Sequence, residues 1–317
     1  MISETITNAL AWAAIAVFLV GATLSWGERV AERRRPGLGT RFVLGARYVS
    51  VVAWILFGAF WLLLSPSFYY DAHSPIQTLL SLAALPLCWY TGYLLARGRD
   101  SLLVLSKAIA IMGLIYLPAE TIPFVRQWLI ETVAIQTHAG MELLGHSPGL
   151  TEGQNGYQSE FAFEGYTTYI ILACTGIGSI SIFGGLIAAV SAPLRQKLLA
   201  FALAVGIIWI LNLVRNVFVG LATPLGWFQQ APFVHFTTEY LDQPAHYTSY
   251  FISHTVISQS LSVVALVGIT YIVVRVVPEV MVVIEEVLYV ATGSEYDLQD
   301  ALGTRVRADG GENVLKR

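Results

Sequence analysis

Hydrophobic residues along this chain gather into long unbroken runs, at about residues 7–26, 43–64, 76–96, 103–123, 166–191, 198–222 and 248–274. A helix needs roughly 20 apolar residues to cross about 30 Å of hydrocarbon. Each run therefore predicts a membrane-spanning helix, about seven in all. Between the fourth and fifth runs the pattern changes. From Phe124 to Leu144, Trp128, Ile130, Val133, Ile135 and Leu143 recur among Glu131, Gln136, His138 and Glu142, which predicts an amphipathic helix in the membrane interface. Gly145 to Gly165 is polar and glycine-rich, and Tyr157 to Phe163 alternates enough to predict a short hairpin strand. This region reads either as a receiver of substrate beside the membrane or as a plain connection. The later loop from Thr223 to Tyr247 carries Trp227, Phe228, Phe233, Phe236 and Tyr240, a composition usual for interfacial anchors. Beyond the last run, Val277 to Val290 mixes apolar residues with Glu279, Glu285 and Glu286. It predicts a cytoplasmic amphipathic helix, followed by a polar, flexible end from Gly303. The reading is an all-α polytopic membrane protein, with a transmembrane domain over 1–275 and a cytoplasmic segment over 276–317.

Composition agrees with the pattern. The 317 residues are 56% hydrophobic and only 12% charged, with a mean hydropathy of +0.64. Soluble domains carry about 25% charged residues, so this chain has too few to cover a water-exposed surface. A net charge of −3 gives no basic surface for nucleic acid. The two cysteines, Cys88 and Cys174, imply no disulfide framework, and Cys88, in Leu87-Cys88-Trp89, reads as a small buried hydrophobe. The first run lacks the basic flank and small-residue cleavage site of a signal peptide, so it reads as a retained span.

Charge placement sets the expected orientation. Arg29, Arg33, Arg34, Arg35 and Arg41 follow the first run, Arg97 and Arg99 the third, Arg195 and Lys197 the fifth, and Arg275 ends the last. Arg305, Arg307, Lys316 and Arg317 lie in the tail. With seven spans these segments share one face, which the positive-inside rule makes cytoplasmic. The opposite loops hold Arg126 and a series of acids, including Asp71, Glu120, Glu131 and Glu160. The N-terminus is expected outside and the C-terminus inside.

Three residues are costly where they stand. Cys174 lies in the small polar stretch Leu172-Ala173-Cys174-Thr175-Gly176-Ile177-Gly178-Ser179, Arg215 in Asn212-Leu213-Val214-Arg215-Asn216, and His254 in Ser253-His254-Thr255. Counted along helices from the outer ends of their runs, they fall about 12, 10 and 9 Å deep at 1.5 Å per residue. An arginine inside a span costs about 2.5–3.5 kcal/mol even on a lenient scale, and persists only against protein, water or a partner. Alone, each has a bland reading: Cys174 as packing, Arg215 bonded to a loop carbonyl, His254 as a satisfied buried imidazole. Their shared depth favours one site near the extracellular face. A thiol attacks as thiolate, and an imidazole can take its proton and return one to a leaving amine. A guanidinium offers forked donors to an oxyanion. Asn212 shares a helix face with Arg215, and with Asn216 and Thr175 it forms the supporting set. The derived class is cysteine-dependent acyl transfer, with no cofactor. His235, His246 and His254 lack ligand spacing with a carboxylate, so no metal is expected. His246 remains a second candidate imidazole.

Ala173-Cys174-Thr175-Gly176-Ile177, Asn212-x-x-Arg215-Asn216 and a later His254, in successive runs, resemble the exosortase/archaeosortase family. The likeness spans the seven-run plan and is strongest from about Tyr166 to Ala301. It implies a transpeptidase acting on surface proteins, such as an S-layer glycoprotein, that carry a tripartite C-terminal signal. That signal is a Pro-Gly-Phe-type motif, a transmembrane helix and a basic end. The resemblance implies Cys174 as nucleophile, Arg215 as oxyanion holder and His254 as general base. It further implies a thioester acyl-enzyme resolved by an amine-bearing membrane lipid. Two other readings share these residues: an intramembrane cysteine protease that uses water, and a transporter with Arg215 and His254 lining its path. A transporter path would continue in polar residues to the cytoplasmic side, where Leu198 to Val205 is apolar.

Overall fold

The computed structural model describes residues 4–34, 38–70, 75–153 and 155–298. The polar end expected from Gly303, with its four cations, lies outside the described residues, as do Arg35 and Asp71. Helices dominate. Among the described residues, six are long and apolar enough to cross a membrane: Thr5–Gly27, Gly39–Tyr70, Gln77–Ala96, Leu102–Thr121, Leu194–Ala222 and Ala245–Val276. Their outward faces carry large apolar side chains such as Leu79, Leu80, Ile210, Val264 and Val267. In water such faces would be a liability; against lipid they are at home.

The chain divides into two compact units, one of Met1–Ile111, Gly185–Ala200 and Val273–Arg317, the other of Met112–Gly184 and Phe201–Ile272. In the first, helices α1 (Glu4–Arg34), α2 (Leu38–Tyr70) and α3 (Pro75–Ala96) pack in sequence order. Phe18 sits edge-on to Trp54 at 5.2 Å, and the buried Trp54 indole donates to Ser106 Oγ at 2.9 Å. Gly21 lets α1 and α2 approach closely, since a Cβ there would stand 2.6 Å from Ser50 Oγ. Arg47 grips Asp100 through two hydrogen bonds, at 2.8 and 2.6 Å. Arg99 reaches the amphipathic helix expected after the last run, found as a 3-10 turn at Pro278–Val280 and a helix at Met281–Thr292. Its guanidinium bonds Glu286 and Glu295 and lies 3.5 Å over the Tyr289 ring.

The second unit carries a helix over the stretch expected to be amphipathic, α5 (Pro123–Leu143), which follows α4 (Leu102–Thr121). Its buried face is Leu129, Ile130, Val133, Ala134, Thr137 and Met141, whereas Trp128, Ile135 and Leu143 are exposed. The expected hairpin strand is the middle of a three-stranded antiparallel sheet: β1 (Gly149–Glu152), β2 (Gln158–Phe163) and β3 (Tyr166–Tyr169). Phe161 of β2, 1% exposed, joins Ile130, Met141, Leu172 and Leu221 in one core cluster. Glycines bring α5 against the long helix α7 (Leu194–Ala222): a Cβ on Gly140 would stand 2.6 Å from Val217 Cγ2, and one on Gly220 would collide with Met141.

The fifth apolar run departs from the expectation of a single spanning helix. Tyr166–Tyr169, built of aromatic and β-branched residues, pairs with β2, and Leu172–Thr175 forms a 3-10 turn. Gly176, at φ +76°, breaks the chain direction before α6 begins at Ile177 and runs 13 residues to Ala189. Cys174 thus stands in a turn before a short helix, and the depth counted along a helix does not apply to it. The aromatic loop after α7 contains a further helix, α8 (Ala231–Glu239). The last span opens with a 3-10 turn (Ala245–Tyr247) and one α turn, α9 (Thr248–Tyr250). It continues as a π-helix over Phe251–Ser258 and ends as α10 (Gln259–Val276).

Candidate active site

All the residues singled out for chemistry, Cys174, Arg215 and His254 with Asn212, Asn216 and Thr175, belong to the second unit. The turn that carries the cysteine is fixed from both sides. Thr175 Oγ donates to Leu172 O at 2.7 Å, closing the 3-10 turn, and the Ile177 N–H reaches Thr175 Oγ at 3.4 Å. From α7, the side-chain amides of Asn212 and Asn216 both donate to the Cys174 carbonyl, the latter at 2.8 Å. Residues four apart share a helix face, so the pair forms a two-pronged clamp on one peptide group. Gly176 completes the fit, because a Cβ there would stand 3.3 Å from Ile208 Cγ2 and 3.5 Å from Asn212 Cγ.

Arg215 sits between the two asparagines in sequence and bonds His254, Nη2 to Nε2, at 3.0 Å. A guanidinium has only donors, so Nε2 of His254 accepts, and the proton of the neutral imidazole lies on Nδ1. Arg215 Nε is buried and has no hydrogen-bond partner among the described residues. The guanidinium therefore holds a spare, desolvated donor beside the one given to the imidazole. A group in that state favours an incoming anion or carbonyl oxygen.

His254 is held by its own segment. Tyr250 lies one turn earlier and stacks on the imidazole, 4.8 Å between centroids and 10° between planes. Tyr250 is also within electrostatic reach of Cys174, Tyr169, Tyr247 and Arg215. Nothing in the apolar pattern marked this tyrosine, although its position four residues before a candidate histidine was a usable signal. His254 falls inside the π stretch, where Ser258 Oγ donates to Ser253 O and Ser253 Oγ to Ser249 O, both at 2.7 Å. Serine bonds of this kind compete with helical carbonyls, and π segments concentrate at functional sites. Ser249 Oγ in turn accepts the Phe228 N–H at 3.1 Å, fastening the aromatic loop to the helix.

A cavity of about 550 Å³ opens beside this group, bordered by Arg215, Asn212, Gly176, Ile177, Tyr116 and Ser258. Its remaining walls are mostly aliphatic residues of α7 and α10. Tyr116 donates to Glu120 at 3.1 Å, and Glu120 pairs with Arg126 at 3.4 Å. His246 is exposed in the 3-10 turn before α9, and His235 lies on α8 against Tyr240. No group of three or more His, Cys, Asp or Glu side chains suited to a metal occurs among the described residues.

Comparison with known proteins places this architecture. Residues 3–241 match the model of the transmembrane exosortases (Exosortase_EpsH). Archaeosortase A of Haloferax volcanii is 44% identical over 316 residues, covering 94% of this chain and 98% of that relative. Archaeosortase A of Natronomonas pharaonis is 39% identical over 293 residues, covering 89% and 88%. No solved structure matches. With a family match over most of its length and two such relatives, this multi-pass membrane chain belongs to the transmembrane exosortase family.

Proposed function

We propose that the chain is a membrane-embedded cysteine transpeptidase that removes the C-terminal sorting signal of surface proteins and joins them to a lipid. The observation that carries this reading is the Arg215–His254 hydrogen bond at 3.0 Å, with a buried unpartnered Arg215 Nε, beside a cysteine turn clamped by Asn212 and Asn216. The shared bond couples two roles. A substrate carbonyl oxygen competes for the guanidinium, and as it takes the Nη2 donor, Nε2 of His254 becomes free to accept a proton.

The thiol proton of Cys174 passes to His254 Nε2 and the sulfur attacks the scissile carbonyl carbon. The negative charge moves to the carbonyl oxygen, held by Arg215. The C–N bond then breaks, and His254 returns its proton to the leaving amine, which departs with the membrane helix of the substrate. A thioester joins substrate and Cys174. An amine-bearing lipid attacks that thioester and gives its proton to His254. The C–S bond breaks and His254 passes that proton to the departing sulfur, leaving an amide to lipid, a thiol and a neutral imidazole. The site faces the extracellular side in this account, with the C-terminus cytoplasmic, as the basic residues suggest.

The test is the intact mass of a surface protein bearing the tripartite signal, from cells with wild-type or Cys174→Ala enzyme. The proposal expects loss of the C-terminal helix plus a lipid mass only with the wild type. Loss of the helix with a free carboxylate would make the enzyme a protease that uses water. Equal masses in both strains would sink the role of Cys174.

A further inference from the structure

Among the described residues, the sheet of the second unit ends in a strand edge that no backbone hydrogen bond from another segment covers. β2 and β3 pair Phe163 with Tyr166 and Phe161 with Thr168, and the ladder extends to Ile170, whose N–H donates to Ser159 O at 2.9 Å. Hydrogen-bonded pairs alternate along an antiparallel ladder. The N–H and C=O groups of Tyr166, Thr168 and Ile170 therefore face β2, and those of Thr167 and Tyr169 face away. Among the described residues, no backbone hydrogen bond from another segment reaches Thr167 or Tyr169.

Proteins usually blunt such edges. The opposite edge, β1, is treated in that way: its register shifts between Thr151 and Glu152, and Glu152 adds a charge. β3 reads Tyr-Thr-Thr-Tyr, without charge, proline or bulge. It also leads to the proposed nucleophile. Tyr169 and Cys174 are separated by two more extended residues and the 3-10 turn, at most about 13 Å of chain. Tyr166 lies within electrostatic reach of Tyr169 and Tyr247, and Tyr250 of Tyr169, Tyr247 and Cys174. Thr167 and Tyr169 side chains are exposed on one face of the strand.

We infer that the β3 edge docks the extended segment of the substrate polypeptide that precedes its membrane helix, as a fourth strand. Thr167 and Tyr169 supply the main-chain donors and acceptors, and the tyrosines receive alternate side chains. This is recognition by strand addition, in which main-chain bonds give affinity and neighbouring side chains give selectivity. It rests on the reading of Cys174 as the nucleophile that cleaves a polypeptide, and specifies how that polypeptide is presented.

The probe is a synthetic polypeptide with an extended segment containing Pro-Gly-Phe, an apolar helix and a basic end. It is prepared as a series with a single backbone N-methyl at successive residues. Cleavage is followed with the full chain in proteoliposomes. Strand addition predicts that KM rises at every second position, with kcat changed little. Thr167→Pro removes an outward donor and fills the edge without touching the ladder to β2, so it should raise KM about ten-fold or more. A flat or aperiodic N-methyl response overturns the docking mode, as does Thr167→Pro folded to the wild-type melting temperature with an unchanged KM. If Thr167→Pro fails to fold, the N-methyl series on the wild type still decides. Cys174→Ala separates the two levels. Cleavage by that variant overturns the proposed function itself, whereas its inactivity together with a flat series overturns only the docking mode.

Discussion

The asparagine clamp offers a quantitative prediction. Cys174 O accepts from Asn212 and Asn216 of α7, using both lone pairs of one carbonyl. Removing one asparagine leaves the carbonyl satisfied by the other, so each alanine variant should lose a net hydrogen bond, about 1 kcal/mol. Removing both strands a part-buried carbonyl, which adds a desolvation penalty of about 1–3 kcal/mol. If that energy holds the cysteine turn in place, each single variant should slow processing about five-fold, and the double variant more than about a hundred-fold. The double loss should exceed the sum of the single losses by about 1 kcal/mol or more. The assay is a double-mutant cycle on the rate of helix removal, with melting temperatures in detergent to show that each variant is folded. A double variant within two-fold of the wild type would refute the idea that this clamp positions the nucleophile. So would purely additive losses.

Three further outcomes follow from named contacts. Arg215→Lys keeps the charge but loses the fork that serves His254 and a second acceptor at once; single-turnover kinetics should show acylation slowed about a hundred-fold or more. Gly176→Ala forces a side chain into φ +76° and against Ile208, so its thermal melt should report a loss of about 1–2 kcal/mol. The hydrogen bond from Arg99 holds the Glu295 carboxyl below its usual range. That contribution to stability is present above the unfolded carboxylate value and lost as pH falls through the lower folded value. Melting temperatures of wild type and Glu295→Gln should therefore differ at neutral pH and converge in acid.

Hydropathy located most of the architecture, because a run of some twenty apolar residues has few alternatives in a membrane. It also marked α5, whose polar and apolar positions separate with helical period, although Trp128 and Ile135 face outward rather than into the core. It failed at the fifth run, where apolarity hid a change of period. Tyr166 to Tyr169 satisfies a hydropathy window as well as a strand, and only pairing with β2 decides between them. Gly176 was the local sign of a break. The α8 helix was concealed by the aromatic character of its loop, with Pro232 in its first turn as the missed start signal. No sequence pattern announced the π-helix that carries His254. For the site, the argument that Arg215 needs a partner identified a physical demand, and the structure supplies His254 at 3.0 Å. The clamp on Cys174 O was only half legible: Asn212 and Asn216 were noted, but their common target lies on a turn that the helical reading did not contain.

The most direct test of the central claim is to look for the acyl-enzyme. The full chain in membranes is mixed with a tripartite-signal substrate without the lipid amine, then quenched in acid and digested. The peptide containing Cys174 is examined by mass spectrometry. The account predicts a thioester-linked substrate fragment on Cys174, removed by hydroxylamine and absent from Cys174→Ser. Helix removal at the wild-type rate with Cys174 unmodified throughout would contradict it.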